Sequence, residues 1–266
     1  MSHAPRRRFG QNFLRDETVL RALMDAIAPG PEDRVVEIGP GRGALTQRLA
    51  STCAELHLVE IDRDLVAELR QRYAADSGVF IHQADALKFD FRELVTDRRK
   101  LRLVGNLPYN ISTPLLFHLF EQQDGVVDMH FMLQREVVQR LTADPGSADY
   151  GRLTVMSQYF CRSESLFEVS PESFFPQPKV MSAVVRLVPH QQPPVNVFLP
   201  ALQKVVLAAF GQRRKTLRNS LSGLLGPETL AALAIDTGLR AQDLDLEDFA
   251  RIAATLPRVE GGRGSG

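Results

Sequence analysis

The chain has 266 residues, enough to bury a sizeable core as one large domain with an appendage or as two domains. Its 32 Lys and Arg balance 32 Asp and Glu, so the formal net charge is zero; this argues against a wholly basic nucleic-acid binder and leaves room for local basic patches. No apolar run approaches the roughly 18 residues of a membrane span, Cys53 and Cys161 have no partner spacing, and the six histidines fall at no metal-ligand interval, so no membrane helix, disulfide or structural metal is expected.

The opening "MSHAPRRRFG" carries a basic run, Arg6 to Arg8, and no apolar core of the signal-peptide kind, so a cytoplasmic protein is expected. In "DETVLRALMDAIA", Leu20, Leu23, Met24 and Ile27 recur at helical spacing behind Asp16, which suits an N-cap. Short apolar runs then alternate with helical stretches. "RVVEIG" precedes a helix through Leu45 to Leu49, "LHLVEID" precedes one through Leu65 to Arg72, and "VFIHQAD" and "LRLVGN" follow. Such alternation predicts a mostly parallel sheet with helices on both faces. "MHFMLQ" with "REVVQRL" adds a strand and a helix, and "KVMSAVVRLV" a further strand. The Pro-rich "VPHQQPPVNV" breaks the pattern. Beyond it, Leu202, Val205, Val206, Ala209 and Phe210 follow the i, i+3, i+4 rule, and the stretches Leu230 to Leu233 and Leu246 to Ile252 are compatible with helix. The reading therefore places an α/β domain over 1–190 and a small all-helical domain over 191–266, with "GGRGSG" as a disordered end.

Three strand ends carry chemistry. In "VVEIGPGRGALT", glycines at 39, 41 and 43 let a backbone approach a ligand at a helix start, although a tight strand-to-helix turn needs glycine as well. Glu60 ends the second strand about 20 residues on, where an acidic side chain accepts hydrogen bonds from ribose hydroxyls. Asp85 ends the third; it suits the amino group of an adenine, or equally the cap of the next helix. Together they describe a nucleoside-shaped pocket at the carboxyl ends of parallel strands. The fourth strand runs into "GNLPY". Proline removes a donor and holds Asn106 and Leu107 extended, so this turn offers carbonyls, a carboxamide and a flat ring, which suit the exocyclic amine of a base and offer nothing for hydride transfer.

"GQNFL" (10–14), "VEIGPG" (36–41), "NLPYNIS" (106–112), the F-x-P-x-P-x-V-x-S pattern of Phe174, Pro176, Pro178, Val180 and Ser182, and "AFGQRRKTLRNSL" (209–221) together resemble the ribosomal RNA adenine dimethyltransferases of the KsgA type, in order over residues 8–256. The resemblance implies a Rossmann-like S-adenosylmethionine-dependent methyltransferase domain and a C-terminal helical RNA-binding domain. It implies dimethylation at N6 of two adjacent adenosines near the 3′ end of small-subunit ribosomal RNA, with immature 30S particles as partner, a role in small-subunit biogenesis, a monomer, and no membrane or metal. By motif position, the donor-binding roles fall on Asn12, Leu14, Gly39, Gly41, Glu60, Asp85 and Asn106. The base-handling roles fall on Asn106, Leu107, Pro108, Tyr109 and Phe174, with "FFPQP" leaving open whether Phe174 or Phe175 faces the base.

An exocyclic adenine amine is a poor nucleophile because its lone pair is delocalised. Acceptors on Asn106 and Leu107 would draw the nitrogen toward tetrahedral geometry, while Tyr109 and Phe174 stack on a base taken out of its own stack. The ring of Tyr109, not its hydroxyl, is the expected working part. Arg213, Arg214, Lys215 and Arg218 are expected on one helix with Leu217 and Leu221 on its other side, positioning RNA through phosphates; a solvated face would read the same way. Other N-x-P-Y enzymes, acting on DNA adenine or protein glutamine, do not account for "GQNFL" or the helical domain. A large-subunit RNA methylase, an assembly factor that acts mainly by occupying small subunits, and an NAD oxidoreductase are the remaining alternatives.

Overall fold

The computed structural model describes residues 11–212 and 214–257. Arg6 to Arg8, Arg213 and the "GGRGSG" end lie outside the described residues. After a two-residue strand β1 (Phe13–Leu14), Asp16 accepts hydrogen bonds from the Thr18 and Val19 amides at 2.8 and 3.2 Å and starts α1 (Glu17–Ile27). The apolar stripe read from the sequence is its inner face, with Leu20, Leu23 and Ile27 buried.

The alternation that follows gives β2 (Arg34–Ile38), α2 (Thr46–Ala50), β3 (Glu55–Glu60), α3 (Arg63–Arg72), β4 (Val79–Gln83), β5 (Leu101–Asn106), α4 (Ser112–Phe120), β6 (Val126–Gln134) and α5 (Arg135–Leu141). Next come α6 (Arg152–Phe160), β7 (Cys161–Val169), β8 (Phe174–Phe175) and β9 (Ser182–Pro189). Seven strands form one sheet in the order β4-β3-β2-β5-β6-β9-β7. The first five of these pair in parallel and β9 runs antiparallel to both of its neighbours. The chain builds outward from β2 through β3 to β4, then returns to the other side of β2 with β5. The carboxyl ends of β2 and β5 thus flank the switch in strand order, where open α/β sheets hold their ligands. Edge strand β7 was not foreseen: "CRSESLFEV" is half polar, because an edge strand keeps one side toward water. A separate two-stranded ribbon pairs β1 with β8, Phe13 opposite Phe175 and Leu14 opposite Phe174.

Two compact units divide the chain, one holding residues up to 139 with 161–189, the other 140–160 with everything from 190 on. The boundary read at residue 190 is thus one of several crossings, and the continuous 1–190 domain needs correction. Residues 140–160 fold with the C-terminal helices because their apolar partners are there. In that second unit, α7 (Leu199–Gly211) packs against α6 and, further on, against α8 (Leu217–Ser220). After α9 (Pro227–Ala232), α10 (Leu246–Ala254) also packs on α7. Tyr150 meets Phe210 with ring centroids 6.2 Å apart, and Phe210 meets Phe249 at 5.7 Å. A pairing across so many residues leaves no periodic signal in the segment itself.

The basic cluster also departs from its expected form. Helix α7 stops at Gly211, so Arg214 and Lys215 sit exposed in a turn, and Arg218 is exposed on the four-residue α8. Leu217 and Leu221 are buried as expected, and it is this anchoring of α8, with the Thr216–Arg240 bridge beside it, that ends the longer helix.

Candidate active site

The turn after β2 needs glycine for two separate reasons. Gly39 and Gly41 have φ of +68° and +57°, and a Cβ on Gly41 would sit 2.9 Å from the Phe13 ring. Glu60, at the end of β3, closes this turn: one carboxylate oxygen accepts the Gly41 amide at 3.2 Å and the other the Asp62 amide at 2.9 Å. Burial raises the pKa of this carboxyl, and those amides pull it back in part. Glu60 forms a cavity wall with Gly39, Ile61 and Asp85. Asp85 uses Oδ1 to accept the Leu87 amide at 3.0 Å, closing a short turn rather than capping a helix, since the next helical segment starts only at Phe91 with Asp90 as its cap; the Asp85 side chain also lines the cavity. A ligand contact is compatible with this turn bond, which engages one oxygen of the pair.

A second cavity adjoins the first, and both are lined by Gln11, Gly39 and Pro108. Its walls include Asn12, Leu14, Gly41, Asn106, Leu107 and Tyr109. Asn106 ends β5 with its Nδ2 donating to the Asn12 carbonyl at 2.8 Å, which turns Oδ1 the other way. The Leu107 amide donates to the Met132 carbonyl at 3.1 Å, and the Pro108 carbonyl accepts from Ile111 at 3.1 Å. No donor among the described residues reaches the Leu107 carbonyl. The turn is therefore pinned on both sides of the Leu107 carbonyl. The Tyr109 hydroxyl lies 2.6 Å from Ser182 Oγ, a partner the sequence reading did not provide.

Phe174 is the site residue that needs correction. It is wholly buried, opposite Leu14 in the core beside Leu20 and Leu23, and it does not line either cavity, so no base can stack on it in this form. Phe175 is the one of the pair that faces out, at 52% exposure. Successive side chains of a strand point to opposite faces, and in this ribbon one face meets the core while the other does not.

Glu37 was not singled out, although a charge inside the apolar run "VVEIG" is the signal that marks it. It is buried next to the carboxyl end of β2 and lines the second cavity, and the Thr46 hydroxyl donates to it at 2.6 Å. Burial, opposed by that hydrogen bond and reinforced by Glu60, pushes its carboxyl up to about 7. Gln11 and Ser182 were likewise unassigned; both lie in quoted motifs, and only their contacts reveal them. Among the described residues, no cluster of His, Cys, Asp or Glu could hold a metal ion, and no helix is long and apolar enough to cross a membrane.

A parallel sheet with a glycine turn, acidic strand ends and an Asn-Leu-Pro-Tyr turn around its switch point defines a Rossmann-like methyltransferase. Comparison with known proteins narrows the class. The family model for ribosomal RNA adenine dimethylase matches residues 2–257, and the chain belongs to that family. It is 56% identical over 256 residues to a ribosomal RNA small subunit methyltransferase A of Methylococcus capsulatus, covering 96% of this chain and 99% of the relative. The same-named protein of Pseudomonas aeruginosa is 52% identical, with 98% of each chain covered. Among solved structures, a dimethyladenosine transferase from Plasmodium falciparum aligns with a TM-score of 0.77 at 25% identity, over 90% of this chain and 95% of that one. The 23S rRNA methyltransferase ErmE aligns with a TM-score of 0.70, also at 25% identity, over 91% and 98%. The chain is thus an rRNA adenine methyltransferase.

Proposed function

We propose that this enzyme dimethylates N6 of two adjacent adenosines near the 3′ end of small-subunit ribosomal RNA, as a monomer acting on immature 30S particles in the cytoplasm. The carrying observation is the Asn106 side chain, tethered through its nitrogen to Asn12 so that its oxygen and the Leu107 carbonyl remain as the acceptors of the turn. A planar amine with two N–H groups fits such a pair. Two acceptors that hold the hydrogens toward tetrahedral geometry oppose delocalisation of the nitrogen lone pair into the ring and turn that lone pair toward the methyl donor. Pro108 fixes the spacing of the acceptors, and Tyr109 supplies a ring against the flipped base.

The two adjoining cavities would hold S-adenosylmethionine, Glu60, Ile61 and Asp85 on the side of its nucleoside and Gly39 and Asn12 on the side of its amino-acid end. The donor supplies a methyl already activated on sulfonium, so alignment does most of the work and no side chain need act as nucleophile. The extra proton on nitrogen is acidic enough to leave to water. After one methyl is added, only one N–H remains, so Asn106 and Leu107 hold the second substrate through a single hydrogen bond. The 52 to 56% identity to full-length small-subunit enzymes supports the small-subunit assignment over a large-subunit one. Arg214, Lys215 and Arg218 would then position RNA through its phosphates; changing Arg214 and Lys215 to Gln should flatten the log-log salt dependence of subunit binding by up to about 2.

The test is transfer of radiolabelled methyl to small subunits from cells lacking this modification, followed by mapping of the modified positions. Label confined to adjacent adenosines near the 3′ end is expected. Label on large subunits or on duplex DNA, or none, would overturn the assignment.

A further inference from the structure

The β1–β8 ribbon sorts its residues by face. Leu14 and Phe174 turn to the core, and the neighbouring pair, Phe13 and Phe175, turns the other way. Phe13 packs on the glycine turn and lines the cavity that also holds Asn106 and Tyr109. Phe175 continues that face outward, because opposed residues of an antiparallel pair lie only about 5 Å apart. A guanidinium lies over each ring: Arg42 is 5.0 Å from the centroid of Phe13, and Arg15 is 5.8 Å from that of Phe175. Arg15 itself is exposed, and its amide is anchored to the Ser173 carbonyl at 2.9 Å, one residue before Phe174.

A single exposed phenylalanine needs no explanation. An exposed ring and guanidinium that continue the wall of a base-handling cavity are a different matter, since the substrate is a polyanion of stackable rings. We propose that Phe175 and Arg15 form an outer nucleotide site, in which Phe175 stacks on the base next to the target adenosine and Arg15 holds the phosphate between them. This rests on the base-flipping reading of Asn106 to Tyr109. Taking the target out of its stack also strips one face of its neighbour, and a ring at the cavity rim restores that contact. Such a site would contribute to RNA capture itself, before chemistry. It would hold the strand in place while the target base enters, and it would matter again when the adjacent adenosine takes the target position.

Steady-state methyl transfer to undermethylated small subunits tests this, with Phe175→Ala, Phe175→Trp and Arg15→Gln against wild type. Base stacking on an aromatic ring predicts that Phe175→Ala raises the KM for subunits about 10-fold. The change should fall on KM rather than on kcat, the KM for S-adenosylmethionine should stay as in wild type, and Phe175→Trp should restore the subunit KM. Arg15→Gln should lower the log-log salt slope of subunit binding by about 1. A Phe175→Ala enzyme with wild-type KM overturns the outer site while leaving the main reading intact. A loss confined to kcat also overturns it, because Phe175 would then act on the target base itself. If the wild-type enzyme transfers no methyl to subunits, the function proposed above fails and this site falls with it.

Discussion

At the glycine-turn end of the cavities, Glu60 is fixed by amides of Gly41 and Asp62, 19 and 2 positions away. At the Asn-Leu-Pro-Tyr end, Asn106 is tied to Asn12 and Tyr109 to Ser182, 94 and 73 positions away. The first wall joins one side chain, Glu60, to backbone amides of adjoining strand ends, so it needs only the β2–β3 pairing and residues close to it. The second depends on β1, β5 and β9 arriving together, with single side-chain hydrogen bonds as the joints. Substitutions on the first wall should therefore change ligand affinity, and those on the second should change turnover.

Asn106→Ala should break this comparison hardest if the reading is wrong. It removes both the tether to Asn12 and an acceptor for the amine, and loss of one such aligned group typically costs about 100- to 1000-fold in rate. Single-turnover transfer at saturating donor measures it, with circular dichroism as the fold control; a rate near wild type would sink the acceptor geometry.

Glu37, which lines the cavity of Asn106 and Tyr109, gives a pH-dependent test. Its folded pKa of about 7 is above the ordinary 4.5, so the protonated form is favoured by folding. That contribution is complete below the unfolded value and is lost as pH rises through 7. Without donor, Glu37→Gln should be more stable than wild type at pH 8, by about 2 to 3 kcal/mol, with the difference shrinking toward pH 5. Urea midpoints at the two pH values decide this. A gap independent of pH would mean that Glu37 is ionised throughout.

For the ribose side, Glu60→Ala should weaken S-adenosylmethionine binding by about 1 to 3 kcal/mol, the scale of a hydrogen bond with a charged partner. Calorimetry showing unchanged affinity in a folded variant would reject that role. The smallest effect belongs to the Tyr109–Ser182 joint. Tyr109→Phe, which the sequence reading expects to be tolerated, should instead slow turnover about fivefold, in line with roughly 1 kcal/mol for one hydrogen bond. Ser182→Ala should match it, and the double variant should be no slower than either single one. Additive losses would show that the two side chains act separately.

The sequence by itself determined the parallel α/β core, the order of its strand-helix units, the cap and inner face of α1, and the positions of Gly39, Glu60, Asp85 and Asn106 at strand ends. Those features are short-range: periodicity, turn chemistry and the residue that ends a buried run are written in contiguous stretches. Tertiary structure alone decided that Phe174 is buried and Phe175 exposed, because the phase of a two-residue strand depends on which partner lies opposite it. It likewise decided that residues 140–160 belong with the C-terminal helices, that Arg214 and Lys215 lie between two helices and not on one, and that Tyr109 has a hydroxyl partner in Ser182. Each of these results from contacts between segments far apart in the chain, where the free energy of burial and hydrogen bonding depends on the partner, and no local pattern names the partner.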